Sequence, residues 1–233
     1  MAWLGIDCNL KAWRPLRNAG QKLPENVEMA VLELLCSRLC HDLVGPVGAV
    51  NNGLELVEED PSSLDDIMPL LTSSARQAWK RLDFFRIAFG FGGGRSSWPY
   101  AELRRVSDGY LEESKAKLDW QLHGQDLAEA EGRRGKLLLN LVALGAECLP
   151  RGGTVSVEVP PSTSGWRLLV TASGTGANLH ERSALAIRGR VSVEDLDARA
   201  AQPYFTWLLA EQLGGGIRYD EAPDRRAFSV ETP

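Results

Sequence analysis

Several features that would assign this sequence to a common class of protein are absent. No apolar run among its 233 residues approaches the roughly 18 residues that a membrane span needs. Residues 1–23 are interrupted by charges and by Pro15, so they lack the apolar core of a signal peptide. The sequence therefore predicts a cytoplasmic protein with no membrane contact.

The chain also has few cysteines and no excess of positive charge. The four cysteines lack the spacing of a disulfide framework, which agrees with a reducing compartment. Cys36, Cys40 and His41 lie close together, but a closed zinc site needs four ligands and no second Cys/His pair has suitable spacing. The formal net charge of −5 argues against nucleic acid, which selects basic surfaces. We expect this chain to bind neither a metal nor nucleic acid.

What the sequence does contain is a long apolar stripe near its start. The members of this first stripe recur every three or four residues and are Leu32, Leu35, Leu39, Leu43, Val47, Val50, Leu54 and Val57. This spacing is typical of one buried face of a helix. It predicts a helix from about Glu25 to Glu59, followed by a turn at "DPSS" with Ser63 and Asp66 as a capping pair.

A second stripe of the same period follows the turn. Its members are Ile67, Leu71, Ser74, Ala78, Leu82, Phe85 and Phe89. Two long helices joined by a short turn form an antiparallel hairpin, here assigned to residues 24–90. Such a hairpin cannot bury two wide apolar faces alone, so we expect a homodimer in which two hairpins form a four-helix bundle.

The pattern changes after the hairpin. Residues 91–97 form a glycine-rich linker, and residues 98–233 mix helical and strand-like segments. This order predicts a second domain with an α+β sandwich of helices and antiparallel strands. Residues 1–23 remain as an N-terminal extension.

One histidine in the first helix stands out. His41 lies opposite the apolar stripe and is predicted to face solvent, while Gly45 and Gly48 leave a shallow clearing on its own face. Pro46 removes the helical hydrogen bond to the carbonyl of Asp42, which should loosen this turn. The Asp42 side chain can accept a hydrogen bond from one ring nitrogen and leave the other free as a nucleophile. Two interpretations stay open on these residues alone, an ordinary solvated histidine near a helix end or a displayed reactive imidazole.

The surrounding residues resemble a known family. "HDLVGP" resembles the H-[DE]-L-x-x-P box of histidine-kinase dimerisation helices, with His41 at the phospho-accepting position. The longer run "LLCSRLCHDLVGPVGAVNNGLELVEED", together with "FFRIAFG" and "KLLLNLVALGAECLPRGGTVSVEV", resembles the ChpT-type histidine phosphotransferases of alphaproteobacteria over nearly all of residues 28–233. The resemblance implies a dimeric helical bundle followed by a degenerate GHKL-type α/β sandwich.

The nucleotide motifs of that sandwich are incomplete in this sequence. The first asparagine is kept as Asn140, but the magnesium-ligating asparagine falls on Leu144, and a leucine offers no oxygen to Mg²⁺. The basic residue nearby falls on Glu147, and the adenine-reading aspartate falls on Ala172. The second glycine box falls on residues 200–203 and keeps neither glycine. We therefore predict a domain that keeps the fold and binds no ATP.

The resemblance implies a role in a phosphorelay. His41 would accept a phosphoryl group from the receiver-domain aspartate of a CckA-like hybrid kinase and pass it to CtrA-like response regulators. Asp42 would orient the imidazole, and Mg²⁺ is expected on the partner receiver domain rather than on this chain. The rim that a receiver contacts would consist of Arg38, Gly45, Gly48, Asn52 and Glu55.

Two alternatives remain open. Instead of a phosphotransferase, the chain could be an ATP-dependent histidine kinase or a non-catalytic dimeric docking adaptor. Basic residues of the hairpin fit two interpretations as well, attraction of an acidic receiver pocket or a solvated helix face. These residues are Arg38, Arg76, Lys80, Arg81 and Arg86.

Overall fold

The computed structural model describes residues 29–90, 97–112, 114–122, 129–160 and 165–232. These ranges form six α-helices and seven β-strands. The helices are α1 (Met29–Glu59), α2 (Leu64–Ala88), α3 (Tyr100–Leu111), α4 (Gly132–Glu147), α5 (Glu181–Ala186) and α6 (Ala198–Gln212). The strands are β1 (Ser97–Pro99), β2 (Ala116–Leu122), β3 (Glu129–Glu131), β4 (Gly153–Val159), β5 (Trp166–Ser173), β6 (Ile217–Ala222) and β7 (Arg225–Thr232). The predicted extension and most of the predicted linker lie outside the described residues.

Helices α1 and α2 form the predicted antiparallel hairpin. α1 continues unbroken through Pro46, and a short 3₁₀ turn at Pro61–Ser63 joins it to α2. The predicted capping pair is wrong, because Ser63 makes no side-chain capping bond. Asp60 has an extended backbone, which lets its carboxylate accept a hydrogen bond from the Ser62 amide at 3.0 Å and start the turn.

Only part of each apolar stripe is covered within one chain. Leu35, Leu71 and Phe85 are buried, whereas other members of both stripes are exposed. Helical spacing places these exposed residues, with three further apolar residues of α2, on one side of the hairpin. We define this open apolar face as Leu32, Val47 and Leu54 of α1 with Leu64, Met68, Trp79 and Leu82 of α2.

The second domain is built on a five-stranded sheet with strand order β2-β4-β5-β7-β6. All neighbours run antiparallel as predicted except β2 and β4, which pair in parallel. The antiparallel prediction is wrong at that pair because α4 crosses over between the two strands. β1 and β3 form a separate two-stranded ribbon that the sequence pattern did not indicate. The domain therefore has a mixed sheet covered by helices.

The base of the hairpin and the second domain share one core. Phe84 and Phe85 of α2 are buried in the same cluster as the sheet, and Phe84 stacks on Tyr110 with 4.1 Å between ring centroids. Val31 and Leu35 of α1 pack against α6. This packing fixes the first turns of α1 relative to the second domain. In the described ranges, no helix combines the length and the apolarity that a membrane span requires.

Candidate functional site

His41 is displayed on the outside of α1. Its side chain is 89% exposed, and its Nδ1 lies 3.4 Å from Oδ1 of Asp42, at the long end of the hydrogen-bond range. Nε2 has no hydrogen-bond partner among the described residues. The ring therefore has one nitrogen turned towards a carboxylate and the other available to an incoming group, as the sequence predicted.

The turn that carries His41 is supported from α2. Pro46 has no amide hydrogen to donate to the Asp42 carbonyl, and the Arg81 guanidinium donates to that oxygen instead, with 2.6 Å between Nη1 and O. The helix consequently stays continuous at a proline that was expected to loosen it. Asp42 lies as far before Asp60 as Arg81 lies after Ser63, so the hairpin alone could have pointed to this pair.

The two glycines beside His41 border open space. Apart from neighbouring residues and the backbone of α1 itself, no heavy atom of the described residues would lie within 4 Å of a Cβ atom added at Gly45 or Gly48. A Cβ atom at Gly53, in the same helix, would lie 2.7 Å from Cδ2 of Leu71. Packing within the chain thus accounts for Gly53 but not for Gly45 or Gly48, and the predicted clearing is present.

The other predicted rim residues differ in their surroundings. Arg38 forms an ion pair with Glu147 of α4, and its side chain is only 19% exposed. Glu55 is exposed and accepts a hydrogen bond from Asn51 at 2.7 Å, and Asn52 is exposed as well. At 1.5 Å per residue, Asn52 and Glu55 lie roughly 16 and 21 Å along the helix from His41. Arg38 therefore joins two domains beside the histidine, whereas Asn52 and Glu55 lie far along the same face.

A cleft of 660 Å³ separates the His41 region from the second domain. Its walls come from α1, the end of α4, the segment before α5, and the start of α6. They consist of Ser37, Arg38, His41, Asp42, Glu147, Pro150, Asn178, Leu179, His180, Ser183, Ala198 and Arg199. Sequence patterns gave no sign of His180 or Arg199, because only the tertiary fold brings them here. A larger cleft of 810 Å³ between α2, α3 and β2 contains none of the predicted site residues.

Tyr110 lies beneath this region. Burial raises the pKa of its phenol. The positive charges of Arg38 and Arg81 lower this pKa, and the negative charge of Asp42 raises it further, so the net shift is upward. The phenol is therefore neutral near pH 7, and its ring packs on Phe84. Tyr110 contributes to the floor beneath the α1 turn without adding charge to it.

The residues at the positions of the nucleotide motifs make hydrogen bonds within the chain or are buried in its core. The Asn140 amide donates to the carbonyls of Ala88 and Lys136 at 3.0 and 2.9 Å. Gln202 of α6 donates to the Asn140 carbonyl at 2.9 Å and to its side-chain oxygen at 3.2 Å. Leu144 and Ala172 are fully buried apolar residues. The groups present here do not fit a nucleotide or its metal.

Two glycines of the adenine-reading box persist for a reason within the fold. A Cβ atom at Gly174 would lie 2.4 Å from the Gly152 carbonyl oxygen. Gly176 has a φ of 72°, and its amide donates to the Asp224 carboxylate at 2.7 Å. Close approach and a left-handed backbone both require glycine. Their presence therefore says nothing about nucleotide binding.

Comparisons with known proteins agree with this architecture. A family model described as the histidine phosphotransferase C-terminal domain matches residues 100–225. Protein phosphotransferase ChpT of Brucella abortus (strain 2308) is 37% identical over 199 residues, which cover 85% of this chain and 93% of that protein. A bacterial phosphotransferase solved at 1.7 Å is 35% identical with a TM-score of 0.77, covering 90% of this chain and all of the other.

A likeness to histidine kinases is weaker. The catalytic domain of histidine kinase ThkA is 20% identical with a TM-score of 0.44, over 59% of this chain and 93% of the other. The two phosphotransferases, by contrast, match along the hairpin and the second domain together. The chain therefore belongs to the ChpT-type family of phosphorelay histidine phosphotransferases.

Proposed function

We propose that His41 is the residue of this phosphotransferase that carries the phosphoryl group. The observation that carries the proposal is an imidazole that is 89% exposed at the mouth of a cleft, with Nδ1 directed at Asp42. Such an arrangement holds the proton on Nδ1 and leaves the Nε2 lone pair free to attack. His180 lines the same cleft, but its Nδ1 accepts a hydrogen bond from the Arg182 amide and so serves the start of α5.

The transfer is a direct displacement at phosphorus. Nε2 of His41 attacks the phosphorus of an aspartyl phosphate, the P–N bond forms as the P–O bond breaks, and the aspartate leaves as a carboxylate. The imidazole gains positive charge, which the Asp42 carboxylate offsets. Positioning and charge neutralisation dominate this chemistry. Mg²⁺ belongs to the receiver domain in this proposal, and the chain supplies the oriented imidazole.

Receiver domains are the proposed partners of the exposed face around His41. Gly45 and Gly48 let a flat surface approach the ring, and Asn52 and Glu55 extend that face away from the second domain. Arg38 already pairs with Glu147, so it contributes chiefly to the shape of the cleft. We propose a CckA-like hybrid kinase as the donor and CtrA-like response regulators as acceptors, all in the cytoplasm.

A second copy of the chain is the proposed occupant of the open apolar face. The face lies on the side of the hairpin away from His41, so a dimer leaves the imidazole accessible. Its exposed residues include Trp79 and Val47, at 65% and 53% exposure, and such a patch favours association. Two hairpins joined in this way give a four-helix bundle.

The alternative functions have less support. An ATP-dependent kinase needs a pocket for nucleotide, whereas Asn140 and Gln202 pair with each other and Leu144 is buried where Mg²⁺ would need an oxygen ligand. A non-catalytic adaptor does not explain a nucleophilic nitrogen kept free beside an orienting acid. The proposed function is therefore phosphoryl relay without ATP hydrolysis.

The experiment that tests the proposal compares two histidine variants. Purified protein is incubated with the phosphorylated receiver domain of the hybrid kinase, and transferred phosphate is measured with time. His41→Ala is expected to abolish uptake while its dimer stays intact, and His180→Ala should take up phosphate at a rate within a few-fold of the unmodified protein. Uptake by His41→Ala would refute the assignment, and labelling of His41 from ATP alone would favour the kinase. Full biological function with His41→Ala would favour the adaptor.

A further inference from the structure

Proline in the middle of a long helix leaves one carbonyl without its usual donor. In α1 this carbonyl belongs to Asp42, four residues before Pro46 and next to His41. An unpaired and partly buried carbonyl is costly, so the chain must supply another donor or admit water. The structure shows which solution is used, since Nη1 of Arg81 lies 2.6 Å from the Asp42 oxygen.

Arg81 has no carboxylate partner among the described residues, which sets it apart from several neighbouring cations. Lys80 pairs with Glu112, and Arg86 pairs with Asp83. The Asp42 carbonyl is the hydrogen-bond partner that holds the Arg81 side chain across the hairpin. Hydrogen bonds from a charged donor are shorter and stronger than those between neutral groups.

Asp42 thereby links two contacts. Its carbonyl is held by Arg81, and its carboxylate faces Nδ1 of His41 at 3.4 Å. We infer that Arg81 is a positioning residue for phosphoryl transfer, which acts through Asp42 to hold the His41 imidazole in its reactive orientation. The inference rests on the proposed function of His41 and adds a residue from the second helix of the hairpin to the site.

Arg81 donates to the Asp42 carbonyl and does not belong to the exposed rim, so its loss should change the rate of transfer rather than the binding of the receiver. Arg81→Met removes the donor and keeps a long side chain, and it leaves the exposed rim unchanged. The saturating transfer rate from a phosphorylated receiver should fall between about 10-fold and 100-fold, as expected for a misplaced reacting group. The receiver concentration that gives half the maximal rate should change little. Arg81→Lys, which keeps a donor and the charge, should recover part of the rate.

A matched charge control separates positioning from electrostatic attraction. Arg76→Met removes the same charge from the same helix, but Arg76 is exposed and does not contact α1 in this way. It should transfer within about threefold of the unmodified protein, a change too small for the loss of a positioning contact. Equal losses in the two variants would overturn the inference in favour of long-range attraction of the receiver.

The sharpest test uses Pro46. In a Pro46→Ala protein the amide of residue 46 can donate to the Asp42 carbonyl, so the Arg81 bond becomes dispensable. Arg81→Met should therefore cost much less in that background than in the native one, and the NMR signals of the His41 ring nitrogens should move less. Equal cost in both backgrounds, or no cost in either, would overturn the inference. Should Arg81→Met alone unfold, Arg81→Lys and the double variant still give the comparison.

The same experiment distinguishes this inference from the proposed function. If His41→Ala takes up no phosphate while Arg81→Met transfers normally, only the role of Arg81 is refuted. If His41→Ala takes up phosphate, the acceptor assignment fails and Arg81 has no reaction to position.

Discussion

The hairpin and the second domain differ in whether their notable polar side chains are exposed or buried. On the hairpin, the His41 imidazole is 89% exposed, and the carbonyl of the next residue, Asp42, accepts a hydrogen bond from Arg81 of α2. In the second domain, Asn140 and Gln202 are almost fully buried and pair with each other and with the neighbouring backbone. The hairpin thus exposes a side chain next to a carbonyl that Arg81 supports, whereas Asn140 and the amide nitrogen of Gln202 find their partners inside the second domain.

The exposed apolar residues of the hairpin can be compared with one another in the same way. Leu54 and Leu56 lie on opposite sides of α1, with 50% and 51% exposure, but only Leu54 belongs to the open apolar face. Leu54→Asp should prevent dimerisation. Burial of each leucine contributes about 1.5–3 kcal/mol, so loss from both copies weakens association by between about two and four orders of magnitude. Sedimentation over a range of concentrations measures this.

Leu56→Asp is the control for that change. It introduces the same charge at the same exposure in the same helix, and the dimer should persist because the residue faces away from the open apolar face. Monomers with both variants, or dimers with both, would show that the face between the two copies has been assigned to the wrong side of the hairpin.

Asparagines in the two regions should differ in their contribution to stability. Asn140→Ala removes the two hydrogen bonds that its side-chain amide donates and the one that its side-chain oxygen accepts from Gln202, and it leaves a small cavity in the core. The free energy of unfolding should therefore fall by about 2–4 kcal/mol. Asn52→Ala is exposed and should change it by no more than about 0.5 kcal/mol. Urea titration of both variants checks the difference. A stable Asn140→Ala protein that gains ATP binding would instead indicate a pocket that had been held closed.

Glycines within α1 provide the finest comparison. Gly48→Ala should raise the free energy of unfolding by about 0.5–1 kcal/mol, because alanine favours the helix and the site has room. Gly53→Ala should lower it by about 1–3 kcal/mol, because its Cβ would contact Leu71 at 2.7 Å. Thermal unfolding measures both.

Transfer kinetics then show whether Gly48 serves the approach of a receiver domain. If the clearing beside His41 receives a receiver domain, Gly48→Ala should slow transfer even though it stabilises the helix. A more stable variant with undiminished transfer would mean that the receiver does not approach this part of α1 closely.

Much of the fold could be predicted from the sequence because helical periodicity is a local signal. The stripes through Leu35 and Leu71 gave the hairpin and its turn, and the position of His41 opposite the stripe gave its exposure. The parallel pairing of β2 and β4 was missed, since strand patterns do not report the direction of a neighbour that follows a crossover helix.

The sequence pointed to the residues of the candidate site that lie on α1 and to no others. Glu147, His180 and Arg199 reach the cleft through the packing of α4, α5 and α6 against the hairpin, which no spacing in the sequence encodes. Arg81 is an intermediate case. The equal spacing of Asp42 and Arg81 from the hairpin turn predicts that they lie opposite each other. The hydrogen bond between them could not be predicted, because it depends on a helix that continues through Pro46.

The most direct measurement is the location of the transferred phosphoryl group. The unmodified protein is incubated with the phosphorylated receiver domain, and the product is examined by mass spectrometry and by ¹⁵N and ³¹P NMR of the histidine side chains. We predict a single phosphoramidate on Nε2 of His41, with Nδ1 still protonated and facing Asp42. A phosphoryl group on Nδ1 of that ring, or on any other residue, would contradict the account.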